Sequence, residues 1–231
     1  MPWPWLWSQR WSELLFLHWP VDPAALRPLI PTALDIERFD GTAWVAVAPF
    51  RISRMRFRGV PLPPFGVPEM NVRTYVTDGR RSGVWFLSLD AASRFFVLGG
   101  RALYHLPYVH ADIRVRREGA AVHYSAARPD GTTFRAAYQP AGAAVRPEPG
   151  SFDRWCVERY CLYAGGAGSS LRRADISHRP WDLMPATVAL ERNDMLAVHG
   201  LSPAGPAAPP RMALPLDVVI WPPTAARRPR S

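Results

Sequence analysis

Apolar and polar residues alternate over short stretches of this chain, and the stretches recur at intervals of about ten residues, a spacing that predicts an all-antiparallel barrel or sandwich rather than a helical bundle. Ser12–Val21 (SELLFLHWPV) reads as a strand. Asp22 then caps a short helix that begins at Pro23. DIERF and TAWVAVAPF, from Asp35 to Phe50, flank Asp40-Gly41 as a hairpin. In RISRMRFRG, Arg54, Arg56 and Arg58 alternate with Met55 and Phe57, which predicts a strand with one wet basic face. Glu69–Asp78 (EMNVRTYVTD) pairs with GVWFLSLDA through a turn at Gly79–Ser82. GRALYHLPYVHADI, Gly100 to Ile113, is expected to end as a strand, and three more strands follow, joined by turns at Glu118-Gly119 and Asp130-Gly131.

The pattern changes after Pro147. SFDRWCVERYCLYAG reads as one helix, started by Ser151 and stopped by Gly165-Gly166. LRRADISHRPW is a returning strand, ATVALERNDMLAVHG fits helix and strand alike, SPAGPAAPP is a surface loop and LDVVIWPP closes as a strand. Gly165-Gly166-Ala167-Gly168 follows a helix instead of opening one, so it reads as a mobile loop and not as a phosphate cradle.

Composition narrows the choice. Hydrophobic residues make up 48% of the 231 and prolines number 26, which supplies a core and many strand ends. One domain over 1–231 is expected, with 226–231 a frayed basic tail. All 28 basic residues are arginine and the net charge is +9. Either an anionic partner or GC-rich coding accounts for that excess. Cys156 and Cys161, five apart on one helix, would lie about 140° apart around it and could not bridge. They match no zinc spacing, so neither metal nor cofactor is expected, and reduced thiols suggest a cytoplasmic protein. The N-terminus carries Trp3, Trp5, Trp7 and Trp11 but no secretory signal pattern, and no apolar run is long enough to span a membrane. Packing of these tryptophans on the chain's own core competes with contact to a membrane or a second subunit. A homo-oligomer is compatible with the apolar-rich chain.

Candidate chemistry gathers on two strands. Alternation puts Glu69, Asn71, Arg73 and Tyr75 on one face, with Met70, Val72, Thr74 and Val76 on the other. The polar row reads either as a solvated outer face with a Glu69–Arg73 pair or as the wall of a polar cavity. If Tyr108 points inward, so do Leu106 and His110, and a phenol and an imidazole two apart can exchange protons or hold a ligand oxygen. His178 shares a face with Ala174 and Ile176, as a hydrogen-bonded core histidine or a ligand contact. No GxSxG, HExxH, P-loop or dinucleotide fingerprint is present.

These segments resemble a known family. LLFLHWPVDPAALRPLIP, FDGTAWVAVAPF, EMNVRTYV, SLDA, GRALYHLPY, ERYCLY, ISHRPWDL and DVVIW are similar, in order and over nearly the whole chain, to YqjF-like uncharacterised proteins. The lead-in RMALPLDVVIWPP departs from the polar approach to the last strand that the family pattern has. More distantly the chain resembles the acetoacetate decarboxylase superfamily. That resemblance implies a mainly β (α+β) fold, an antiparallel barrel or cone around a cavity with a few peripheral helices. Glu69, Leu89-Asp90, Gly100-Arg101, Leu103 and Pro107 fit the superfamily's order, Tyr108 falls where the Schiff-base lysine stands, and Val109 falls where its second lysine stands. The resemblance implies that Glu69, Asn71 and Arg73 face inward. It also removes a chemistry, because tyrosine cannot form an imine. The expectation is a protein that binds an organic acid or carbonyl compound through Glu69, Asn71, Arg73, Tyr108, His110 and His178. An enzyme of non-imine mechanism using Glu69 with Tyr108 or His110 is the alternative. Anionic-polymer or membrane-surface binding through Arg54, Arg56 and Arg58 is a third, with nucleic acid not expected as a partner.

Overall fold

The alternating segments form strands of two kinds, some buried on both faces and others on one face only. The computed structural model describes residues 4–63, 66–165 and 170–226. Strand β1 spans Trp7–Ser12 and β2 spans Leu15–Val21, with Glu13 at φ +56° turning the chain between them. The Asp22 side chain accepts from the Ala24 amide at 2.8 Å and caps α1, Pro23–Leu26. Then come β3 (Asp35–Ile36), β4 (Ala43–Phe57), β5 (Val60–Pro61), β6 (Val67–Thr77) and β7 (Ser82–Ala91). Helix α2, Arg94–Tyr104, is capped by Ser93 and stopped by His105 in the left-handed conformation at φ +54°. Strands β8 (Tyr108–His110), β9 (Asp112–Glu118), β10 (Ala121–Ala127) and β11 (Thr133–Pro140) follow. Helix α3 (Phe152–Val157) leads to β12 (Cys161–Ala164), β13 (Arg172–His178), β14 (Leu183–Asn193), β15 (Arg211–Ala213), β16 (Leu216–Ile220) and β17 (Thr224–Ala225).

Seven of these strands close a barrel among the described residues, in the order β1, β4, β6, β7, β12, β13, β16 and back to β1. Every junction is antiparallel except β7 with β12, where Leu162 faces Val84. A second layer runs β9, β10, β11, β14, β15, β2 and joins the barrel at β4. Two apolar clusters result. Phe16, Phe50, Tyr75, Phe86, Tyr108 and Trp181 fill part of the barrel interior. Val45, Val47, Met70, Val72, Tyr124 and Phe134 pack between barrel and outer layer. Strand β6 therefore sends Tyr75 to the first and Met70, Val72 and Val76 to the second.

Several expectations change. The turn at Asp40-Gly41 forms, with both residues at positive φ and Phe39 bridging Thr42, but β3 pairs with β6 instead of β4. The predicted single helix 151–165 stops at Val157, because Glu158 leaves helical geometry (φ −80°, ψ 65°) and Cys161–Ala164 is drawn into the barrel wall. Cys156 and Cys161 thus sit on a helix and a strand, both free and buried. The basic strand ends at Phe57, since Arg58 and Gly59, both at positive φ, make the turn into β5. ATVALERNDMLAVHG is mostly strand, held by β11 on one side. Helix α2 was not signalled by the pattern, its Gly99-Gly100 being poor helix formers. Trp7 and Trp11 pack on the barrel cluster, whereas Trp3 lies outside the described residues. So do 166–169 of the glycine-rich loop and 227–231 of the tail. Among the described residues no helix is long and apolar enough to cross a membrane.

Candidate functional site

The barrel holds a cavity of about 510 Å³ with mostly apolar walls. Trp7, Met55, Leu62 and α2 residues Phe95, Gly99 and Leu103 line one end of it. That end is next to Val67, the first residue of β6, because Ile52 pairs with Val67 and β8 lies along the last residues of β7. At the other end, Trp155 and Phe152 of α3 pack on Tyr75 and Trp44, with ring centroids 4.5 Å apart in each pair.

Along β6, alternation aims Glu69, Asn71 and Arg73 into the cavity. At about 3.3 Å per residue the row spans roughly 13 Å, from near the mouth to near α3. Glu69 is buried, and burial pushes its carboxyl up to about 8, a rise opposed by the Tyr108 hydrogen bond and aided by the Asp90 charge. Tyr108 Oη donates to Glu69 Oε2 at 2.9 Å, and burial together with Glu69 raises the phenol's pKa well above its ordinary value. Gly100 makes this pair possible: a Cβ there would stand 2.3 Å from the Tyr108 ring. Arg101 Nε donates to the Tyr108 carbonyl at 2.7 Å and fixes the strand. Asn71 Oδ1 is buried with no hydrogen-bond partner.

The inner end is cationic. Arg73 Nε is buried without a partner, no carboxylate pairs with Arg73 among the described residues, and its guanidinium lies 5.2 Å from the Phe16 ring centroid. Arg159, 7% exposed, also lines the cavity. Its Nη1 is paired with Glu37, but its Nε and Nη2 have no partner, and its guanidinium lies 5.1 Å from the Tyr75 ring and 4.7 Å from Trp155. Beside them His18 Nε2 shares a 2.6 Å hydrogen bond with Tyr75 Oη. Burial, with the Arg73 charge second, lowers His18 to about 3, so it is neutral.

Five of the six residues singled out in the sequence, Glu69, Asn71, Arg73, Tyr108 and His178, line one cavity. His178 bonds the Arg179 carbonyl through Nδ1 at 2.8 Å and stacks on Tyr160, and burial lowers its pKa. His110 is a correction: it is half-buried on β8 opposite Ala91 and is not among the lining residues. The three-residue strand β8 ends there, and Ala111 is already part of the packing against the outer layer. Arg54 and Arg56 point outward to a surface shared with Arg179 and Asp217. Arg159, His18 and Gln9 were missed. Arg159 comes from the irregular link between α3 and β12, where no periodicity gives a direction.

The mainly β chain with its seven-stranded barrel has an acetoacetate-decarboxylase-like fold, as its likeness to solved structures shows. The chain is similar to the enduracididine biosynthesis enzyme MppR complexed with pyruvate, at a TM-score of 0.69 and 11% identity over 99% of this chain and 92% of that one. It is similar to acetoacetate decarboxylase from Legionella pneumophila (TM-score 0.65, 12% identity, 98% and 91% covered). An acetoacetate decarboxylase-like enzyme from Sphingomonas wittichii RW1 gives 0.65, with 16% identity and 97% and 94% covered. At these identities the likeness is one of fold. Residues 8–216 match the DUF2071 family, described as an uncharacterized conserved protein, and the chain belongs to that family. It is 38% identical over 224 residues to the uncharacterized protein YqjF of Bacillus subtilis (strain 168), covering 94% of this chain and 91% of that protein.

Proposed function

We propose that the barrel interior binds a small organic acid or carbonyl compound, with the ligand's oxygen atoms on Arg73 and Arg159. The observation that carries this reading is the set of buried guanidinium N–H groups without partners at the inner end of the cavity. Arg73 has no carboxylate partner among the described residues, and Arg159 keeps Nε and Nη2 without partners beyond its Glu37 pair; a bound carboxylate supplies both with charge-assisted hydrogen bonds. The neutral Glu69 carboxyl with Tyr108 forms a polar pair nearer the mouth, and Asn71 Oδ1 is open to a donor where the ligand carries one. With no lysine in the chain, no internal side-chain amine is present to form an imine. The test is mass spectrometry of acids released from natively purified protein, followed by calorimetric titration. Arg73→Met is expected to weaken binding at least about tenfold, the loss of one charge-assisted contact. Equal binding by Arg73→Met, Arg159→Met and the parent chain would overturn the proposal.

A second reading rests on Glu69 itself. A carboxyl titrating at about 8 and bonded to a phenol holds and releases a proton near neutral pH, as a lyase, isomerase or hydrolase acting on a carbonyl compound requires. The check is solvent deuterium exchange at the carbon next to the carbonyl of a bound keto acid, followed by NMR. Glu69→Gln should keep binding and lose the exchange; identical exchange in both proteins ends this reading.

A further inference from the structure

The cavity's cationic groups gather at one end only, and that asymmetry specifies more than an acid. Arg73 and Arg159 both reach Tyr75 at the inner end, their charges acting on the same phenol. From Arg73 outward the wall is formed by Phe50, Ile52, Leu89, Leu106 and Val67, with Glu69, Asn71 and Tyr108 as the polar interruptions. The apolar surface does not stop at the mouth. Phe95 is 83% exposed, Leu98 68% and Leu103 47% on α2, and Phe57 and Val60 are exposed on the β4–β5 turn, beside the lining residues Met55 and Leu62. Gly99 lines the mouth between them, and a Cβ there would meet nothing within 4 Å.

We infer that the ligand is an amphipathic monocarboxylate that enters head first. Its carboxylate sits on Arg73 and Arg159, and its aliphatic tail runs along the apolar wall to emerge between α2 and the β4–β5 turn. This rests on the proposed acid-binding reading and narrows it. A short keto acid would satisfy the guanidiniums and leave the outer cavity and its rim uncovered. A tail covers both. The distance supports the length: Val67 to Arg73 is six residues of strand, about 20 Å, so a short acid held at the arginines cannot reach the mouth. The burial of Glu69 near the mouth, which favours its neutral form, fits as well, because an ionised carboxylate there would repel the entering head.

The experiment is calorimetric titration of the full chain, near neutral pH and below micelle formation, with butanoate, octanoate, dodecanoate and hexadecanoate. Each added methylene that is taken from water into the cavity should tighten binding about fourfold, the equivalent of ~0.8 kcal/mol, until the tail reaches solvent. Gly99→Leu should weaken hexadecanoate more than butanoate, because the new side chain occupies the mouth and not the arginine end. A flat series with binding still lost in Arg73→Met would overturn the tail and leave the acid-binding reading standing. No binding by any member overturns the tail, and the acid-binding reading is then decided by the acids released from the purified protein and their titration against Arg73→Met. A rising series that Gly99→Leu leaves parallel overturns the exit path between α2 and the turn.

Discussion

The two faces of β6 meet two different interiors. On one, Met70, Val72 and Val76 pack against the outer layer, and the buried charge on that side is fully matched. Arg128 Nε and Nη2 grip both Asp90 oxygens at 2.8 and 2.6 Å, Nη2 also reaches Ser88 at 2.7 Å, and Ser88 bonds His199 at 3.1 Å. On the other face, Asn71, Arg73 and Arg159 carry buried polar atoms with no partner, beside an open cavity. Proteins pair buried polar groups wherever structure is the only concern. On the packed side Tyr124 Oη alone among these buried groups lacks a partner, so the contrast is one of charge: the outer layer matches its buried ions, whereas the barrel interior leaves guanidinium and amide atoms unmatched.

The sharpest way to break this comparison is Glu69→Gln across pH. Below the ordinary carboxyl value of 4.5 the residue is protonated folded and unfolded, and the substitution should change little. Between 4.5 and about 8 the unfolded chain ionises while the folded one resists, so parent stability is lost as pH rises and the Gln variant's advantage grows. Above about 8 it levels off, with a ceiling near 5 kcal/mol from about 1.4 kcal/mol per pH unit. Chemical denaturation at a series of pH values measures it, and a pH-independent difference would remove Glu69 from the list of strained groups. Next in size, Arg128→Ala on the packed side should cost about 4 kcal/mol by stranding Asp90, whereas Arg73→Met in the cavity should cost little or stabilise. Similar losses from both, read from urea midpoints, would erase the distinction.

Smaller effects sharpen it. Gly100→Ala should cost about 1–3 kcal/mol and move Tyr108 off Glu69, while Gly99→Ala one residue away should stabilise α2 by up to about 1 kcal/mol. Thermal unfolding separates them, and a tolerated Gly100→Ala would show that the Tyr108 ring yields. Smallest, Thr74→Val removes a 2.9 Å bond to the Trp44 carbonyl and should cost about 1 kcal/mol. Asn71→Leu, on the opposite face, should be neutral or slightly stabilising, because its Oδ1 loses nothing. An equal cost at both positions would mean that Asn71 is as well satisfied as Thr74.

Much of this was legible in the chain. The hairpin from Glu69 to Ala91, the turns at Gly119 and Gly131 and the cap at Asp22 follow from local patterns and lie where those patterns put them. So does the alternation that sets Glu69, Asn71 and Arg73 on one face. The resemblance carried by GRALYHLPY led to Tyr108, which does meet Glu69. The illegible part is equally specific. The break after Val157 and the strand at Cys161–Ala164 depend on a parallel partner about eighty residues earlier, Val84 and Trp85 of β7. Arg159 owes its place in the cavity to that same break. His110 looked like a wall residue because alternation was carried to the last residue of a three-residue strand, where the chain already turns toward the outer layer at Ala111.

The sequence by itself determined the strands, most of their turns, the order of polar groups along β6 and the absence of any lysine to form an imine. Only the tertiary structure decided that the polar face of β6 lies inside, that Arg159 joins Arg73 there and that Trp7 of the first strand closes on Ile220 of the last major one. The physical reason is the range of the forces that leave a trace in sequence. Periodicity and turn chemistry record each residue's local geometry. Both faces of β6 are buried, so hydrophobicity could not tell inside from outside. That choice was made when the barrel closed between segments more than two hundred residues apart.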